Sequence, residues 1–309
     1  MTPPSAPRLA ASLLLSLLSG NALTAQAPGP PPVNLYVADL SYRDGAIHIG
    51  TPGKLTGDRG ISSQPSFTRD GKAILFVSRR DSANGQGDVY RINLASRKET
   101  RITATPEMEN SPTVTPDGRL MVIRWTPATL FKEWGPWIYS MKGKPIKGVL
   151  PGPDTVGYYV SVDRHRFAMM RPKTRRAVAI FDTRTGSMID YDWPVANLPP
   201  QLIPRQQAVS YTRVDSVGGN RLRRLDLVTF DTVEIAPALA GKSVHAWTPR
   251  GDVIMAKGNA IYSLDTRTRS WREIASFAAD DLQDINAYVV SPRGDKLILI
   301  SPLTPPNRK

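Results

Sequence analysis

The sequence predicts an all-β chain folded as a six-bladed β-propeller with four-stranded antiparallel blades. Three observations predict it. A strand–turn–strand unit returns about every 44 residues, the chain ends hold two complementary half-units, and 28 prolines and 23 glycines punctuate the whole length.

The unit first appears as Ser66-Phe67-Thr68-Arg69-Asp70-Gly71-Lys72 running into Ala73-Ile74-Leu75-Phe76-Val77. It returns at residues 113–123, 246–255 and 289–300. Each copy reads as a hairpin, with Pro suited to the second turn position and Gly supplying the positive φ that closes it. Gly71 and Gly118 lie 47 residues apart, Gly251 and Gly294 lie 43 apart, and the 133 residues from Gly118 to Gly251 hold three such intervals. Two degenerate copies are therefore expected near residues 164 and 206. Val160-Ser161-Val162-Asp163-Arg164-His165 and Leu202-Ile203-Pro204-Arg205-Gln206-Gln207 stand there, each before an apolar strand. Second hairpins follow the first ones, at 88–103, 177–189 and from 221 and 259 onward, with the period-2 alternation of strands.

The sixth unit stops after its two inner strands, at Ile300, whereas residues 34–40 and 46–49 form an outer pair with no inner pair before it. Joined, they complete one blade, close the ring and remove a sheet edge.

Residues 1–27 read as a signal peptide, with Arg8 as the positive start and an apolar run from Leu9 to Leu18. That run is about half of the roughly 20 residues a membrane span needs. Cleavage is expected after Ala22, Ala25 or Ala27. A Pro-rich linker (28–32), the propeller (33–303) and a short tail (304–309) follow. The protein is expected to be periplasmic or extracellular, with no transmembrane segment, and to be a monomer. The absence of cysteine excludes disulfides, thiolate metal sites and lipoprotein anchoring. A formal net charge of +13 favours anionic partners; outside the cytoplasm these are acidic proteins, polysaccharides or lipid head groups, not nucleic acid.

Thr115-Pro116-Asp117-Gly118-Arg119, and residues 70–78 with Asp88-Val89-Tyr90-Arg91-Ile92-Asn93 after them, resemble the TolB-like propeller repeat. The resemblance covers residues 33–303, strongly in the first two and last two units and weakly in the middle two. It extends to the propeller portion of that family and not to the N-terminal α/β domain that TolB carries. It implies a binding role, although the same repeat accompanies peptidase domains and occurs in some lyases.

The face that carries the connections between blades is the expected ligand face. Residues at the start of each blade would reach it: Gln64, Asn110, Ser111, Tyr158, His245 and Asn286. In the second blade, Phe131, Trp134 and Trp137 are spaced three apart, and Phe131 and Trp134 are candidate partner contacts. Arg171, Lys173, Arg175 and Arg176 form a candidate anion-binding loop. The three histidines, His48, His165 and His245, fall in different parts of a blade, so no catalytic zinc site is expected. No cofactor is expected either; calcium is the one ion that the carboxylates of the connections (Glu107, Glu109, Asp154, Asp280, Asp281, Asp284) could hold. With no HExxH, P-loop or G-x-S-x-G motif, the expected function is a non-enzymatic scaffold for a protein or peptide partner. The alternatives are a lyase or lactone hydrolase acting on a sugar acid at the channel mouth, and a binder of acidic glycan or lipid.

Overall fold

The hairpin turn is the local event from which each blade is built. In four blades a Thr or Ser opens it and donates its hydroxyl to a nearby carboxylate: Thr68 to Asp70 (2.6 Å), Thr115 to Asp117 (2.5 Å), Thr248 to Asp252 (2.9 Å) and Ser291 to Asp295 (2.7 Å). The carbonyl of the same residue accepts the N–H of the turn glycine three residues on, and Gly71, Gly118, Gly251 and Gly294 all have positive φ. The carboxylate precedes the glycine in two blades and follows it in two, and the hydroxyl reaches it in both arrangements. The degenerate copies close differently. Asp163 accepts the N–H groups of His165 and Arg166. Pro204 is followed by Arg205 at φ 62°, the pattern of a type II turn without its glycine.

The structure, a computed structural model, describes residues 33–302 except 58–59, 82–85, 127–133, 151–155, 173–174, 218, 279–281 and 283. The expected signal segment, linker and tail lie outside these. The described residues contain no helix and form twenty-five strands in six antiparallel sheets. The described residues begin with β1 (Val33–Arg43), β2 (Ala46–Ile49) and β3 (Gly53–Lys54). The first blade is β4 (Ser62–Phe67), β5 (Ala73–Ser78), β6 (Asp88–Asn93) and β7 (Glu99–Arg101), and the second is β8 (Met108–Val114), β9 (Leu120–Trp125), β10 (Trp134–Tyr139) and β11 (Pro145–Gly148). The third is β12 (Tyr158–Ser161), β13 (Arg166–Arg171), β14 (Ala177–Asp182) and β15 (Ser187–Asp192), and the fourth β16 (Gln201–Leu202), β17 (Ala208–Arg213), β18 (Arg221–Asp226) and β19 (Thr232–Pro237). The fifth is β20 (Ala246–Trp247), β21 (Val253–Lys257), β22 (Ala260–Asp265) and β23 (Ser270–Ser276), and the sixth opens with β24 (Ala287–Val290) and β25 (Lys296–Pro302).

The second strand of a blade is buried on both faces, and its alternate residues serve different neighbours. In β5, Ile74 and Phe76 face the sixth blade while Leu75 faces the second. In β25, Leu297 and Leu299 face the fifth blade while Ile298 and Ile300 face the first. The core is accordingly six apolar clusters, one at each joint between neighbouring blades.

The ring closes by strand exchange between the chain ends. β1 pairs with β25 from Val33↔Pro302 to Asp39↔Lys296, and Leu35 packs with Ile74, Phe76, Ile298 and Ile300. One detail differs from the expected four-stranded blade. The outer strand is split, β2 pairing with residues 40–43 of β1 and β3 with Tyr36 and Val37. Pro52 lies in the break, where it has no N–H to offer a ladder.

Candidate functional site

The residues that open the six turns are Thr68, Thr115, Val162, Ile203, Thr248 and Ser291, each donating its N–H across the hairpin. Four residues before them stand Gln64, Ser111, Tyr158, Pro199, Val244 and Ala287, and all six line one central cavity of about 380 Å3. The cavity lies at the N-terminal ends of the inner strands, on the face of the blade connections. Its wall is mostly prolines, tyrosines and aliphatic side chains, with no charged residue among those lining it. Its size is in the range of ligand sites, roughly 300–1,000 Å3.

Gln64 and Ser111 reach the rim because their strands bulge. Both have left-handed backbones (φ 51° and 50°) before a proline, and the pairing slips at the same place in β4 and β8. The Gln64 side-chain Oε1 accepts the N–H (2.5 Å) and hydroxyl (3.2 Å) of Ser111, tying the first blade to the second.

Three residues before the turn-opening residues stand Pro65, Pro112, Tyr159, Pro200, His245 and Tyr288. The three polar ones each reach back to the preceding blade. The Tyr159 hydroxyl donates to the carbonyls of Ser111 (3.0 Å) and Met121 (2.7 Å), and that of Tyr288 to Val244 (2.6 Å). His245 Nε2 lies 2.7 Å from Ser210 Oγ, which also accepts the Trp247 indole N–H at 2.7 Å. Burial pushes both tyrosine hydroxyls well above their usual range. It pulls His245 down to about 4, against a hydrogen bond that the ring donates to the Ser243 backbone carbonyl, which acts the other way. The imidazole is therefore neutral at pH 7. Ser210 is fully buried, so this Ser–His contact is an interblade tether and presents no nucleophile to solvent.

The expected contacts thus divide. Gln64, Ser111, Tyr158, His245 and Asn286 come together at the cavity. Asn110 does not line it; it pairs opposite Ile123. Trp134, expected as an exposed contact, opens β10 and is half-buried, packed against the cluster of Met121, Phe167 and Met169 between the second and third blades. Phe131 lies outside the described residues. Trp137 packs in the same strand, with the Arg124 guanidinium 4.2 Å over its ring. Arg171, expected in an anion-binding loop, is instead the last residue of β13, 6% exposed and 2.8 Å from Asp190. Arg175 and Arg176 are exposed, and Lys173 lies outside the described residues.

Among the candidate calcium carboxylates, Glu107 pairs with Arg124 and Asp284 with Lys242, while Asp154, Asp280 and Asp281 are outside the described residues. Glu109 is fully buried, accepting from Thr105 and, at 3.0 Å, from Tyr139, and burial raises its carboxyl. Among the described residues no three His, Cys, Asp or Glu side chains gather as a metal site, and no helix is long and apolar enough to cross a membrane. Sequence reasoning missed Pro199, Val244 and Ala287, although counting back four residues from each turn finds them.

No family model matches the sequence, and no curated protein matches it. Solved structures do resemble it in fold. A putative TolB from Agrobacterium tumefaciens superposes with a TM-score of 0.65 at 14% identity, over 88% of this chain and 99% of that one. TolB from Acinetobacter baumannii gives 0.57 at 14% identity, over 87% of this chain; the match spans only 64% of the Acinetobacter protein. An oligogalacturonate lyase in complex with manganese gives 0.54 at 12% identity, over 89% and 92% of the two chains.

Proposed function

We propose that this TolB-like propeller is an exported, non-enzymatic scaffold that takes a peptide segment of a partner protein into its central mouth. The observation that carries this reading is the cavity to which all six blades contribute: among the described residues its lining is largely apolar, uncharged and rimmed by amide and hydroxyl groups. Apolar walls supply binding energy, and the rim groups can pair with peptide N–H and C=O groups. The periplasm or the extracellular space is the proposed location, in keeping with the charge pattern and apolar run of residues 1–27.

The binding reading is preferred to the lyase or hydrolase alternatives on the donor set. Among the described residues the lining contains no carboxylate or lysine to act as base, and its histidine is held by Ser210. The reading of an acidic-glycan or lipid binder loses one of its four loop cations, because Arg171 is buried against Asp190.

A photo-crosslinking amino acid placed at Tyr158 should yield a defined adduct in cells of the source organism. The same group at His48, on an exposed outer strand, should not. Equal labelling from both positions, or none from Tyr158, counts against the mouth as the binding site.

A further inference from the structure

The central cavity has a neighbour. A second cavity of about 440 Å3 adjoins it, and the two share Leu198, Val244, Asn286 and Tyr288 in their walls. Their chemistry differs. The first wall is uncharged, whereas the second holds Arg176 and Lys242, with Asn197, Asn220 and Asn286 beside them. Among the described residues no carboxylate lines either cavity.

Both cations are held on fixed backbone. Arg176 Nε donates to the Val195 carbonyl (3.2 Å), and the Arg176 carbonyl accepts the Val195 N–H, while the residue as a whole is exposed. The Lys242 loop is held by the Asn220 amide, which donates to the Lys242 carbonyl (3.1 Å) and to Ser243 Oγ (2.7 Å). Lys242 Nζ lies 3.3 Å from Asp284, but the two side chains are 30% and 46% exposed. An ion pair so open to water holds its lysine weakly, and an incoming anion can replace the partner.

We infer that the segment bound at the mouth is an extended peptide that carries a carboxylate beside its apolar residues. The apolar side chains enter the central cavity, and the carboxylate docks on Arg176 and Lys242. A guanidinium offers a carboxylate two parallel N–H donors, and the net charge of +13 attracts acidic segments from a distance. A peptide fits better than a lipid acid because Gln64, Asn197, Gln201, Asn220 and Asn286 place amide groups around both cavities, matching backbone N–H and C=O groups that an acyl chain lacks. The inference rests on the mouth being a peptide site.

The test is selection from a random-peptide display library, once with free carboxyl ends and once with the ends fused. Three proteins are compared: wild type, the double variant Arg176→Glu with Lys242→Glu, and a cavity-filling variant, Ala287→Trp. Gln201→Trp, on the wall that the fourth blade supplies, replaces Ala287→Trp if that variant loses the wild-type unfolding transition. Wild type should enrich peptides with apolar residues next to Asp, Glu or a chain-end carboxylate, the two formats telling side-chain from terminal carboxylate. The double reversal should weaken such a peptide on the order of tenfold or more and shift selection toward Lys and Arg, the apolar preference being kept. The cavity filler should abolish enrichment. Apolar peptides enriched without acidic preference, and indifferent to the reversal, overturn the carboxylate assignment and leave the mouth reading standing. Enrichment unaffected by the cavity fillers, or binding of laurate with no peptide enriched, overturns both.

Discussion

At the scale of single residues, two buried titratable groups give the protein opposite pH responses. His245 has a folded pKa near 4 against an ordinary 6.5, so the unfolded chain binds the proton first. Its contribution to stability is complete above pH 6.5 and is lost as pH falls toward 4, by up to about 3 kcal/mol. Glu109 is the reverse case. Its carboxyl is raised above 4.5 by burial, so the native state binds the proton more tightly, and stability is lost as pH rises from 4.5 through the raised value. Denaturant titrations between pH 4 and 7 should show a flatter acid limb for His245→Gln and the loss of the opposing slope for Glu109→Gln. A His245→Gln protein with the wild-type pH slope would mean that the imidazole is not buried and neutral. His245 stands among the residues that line the central cavity. Sequence could not show that the ring turns to Ser210 on the neighbouring blade, because nothing local marks two residues 35 apart as partners.

At the scale of the element, the turns show which glycines are needed for backbone conformation and which for space. Gly251 has φ 97° with nothing within 4 Å of an added Cβ, so Gly251→Ala meets backbone strain alone, about 1–2 kcal/mol. Gly143, in the outer turn of the second blade, has φ 81°, and a Cβ there would lie 1.8 Å from the Ile102 carbonyl oxygen of the first blade. Gly143→Ala should therefore cost clearly more, about 3 kcal/mol or above, since two backbones would have to part. Equal losses in equilibrium denaturation would argue against the close approach. The turn motif was legible in four blades because a hydroxyl residue recurs three positions before a glycine, with a carboxylate directly before or directly after that glycine. In the third and fourth blades the same turn is made by Asp163 and by Pro204-Arg205, so spacing located them where residue type did not. Trp134 shows the converse: a large aromatic beside a loop reads as an exposed anchor until the neighbouring blade is present to receive it.

At the scale of the whole molecule, stability depends on a joint between residues far apart in the chain. Leu35 is fully buried between β25 and the first blade, and Leu120 is equally buried between the first and second blades. Leu35→Ala and Leu120→Ala should each cost about 2–5 kcal/mol in equilibrium unfolding. A near-neutral Leu35→Ala beside a costly Leu120→Ala would show that the ring does not close in solution. The repeat, the number of blades and the complementary ends are periodic properties of the chain, and periodicity is written in residue order. The cavity, its cationic neighbour and the interblade tethers are not. They arise only when six separate blades converge, so each depends on distances between residues that the order of amino acids leaves unspecified.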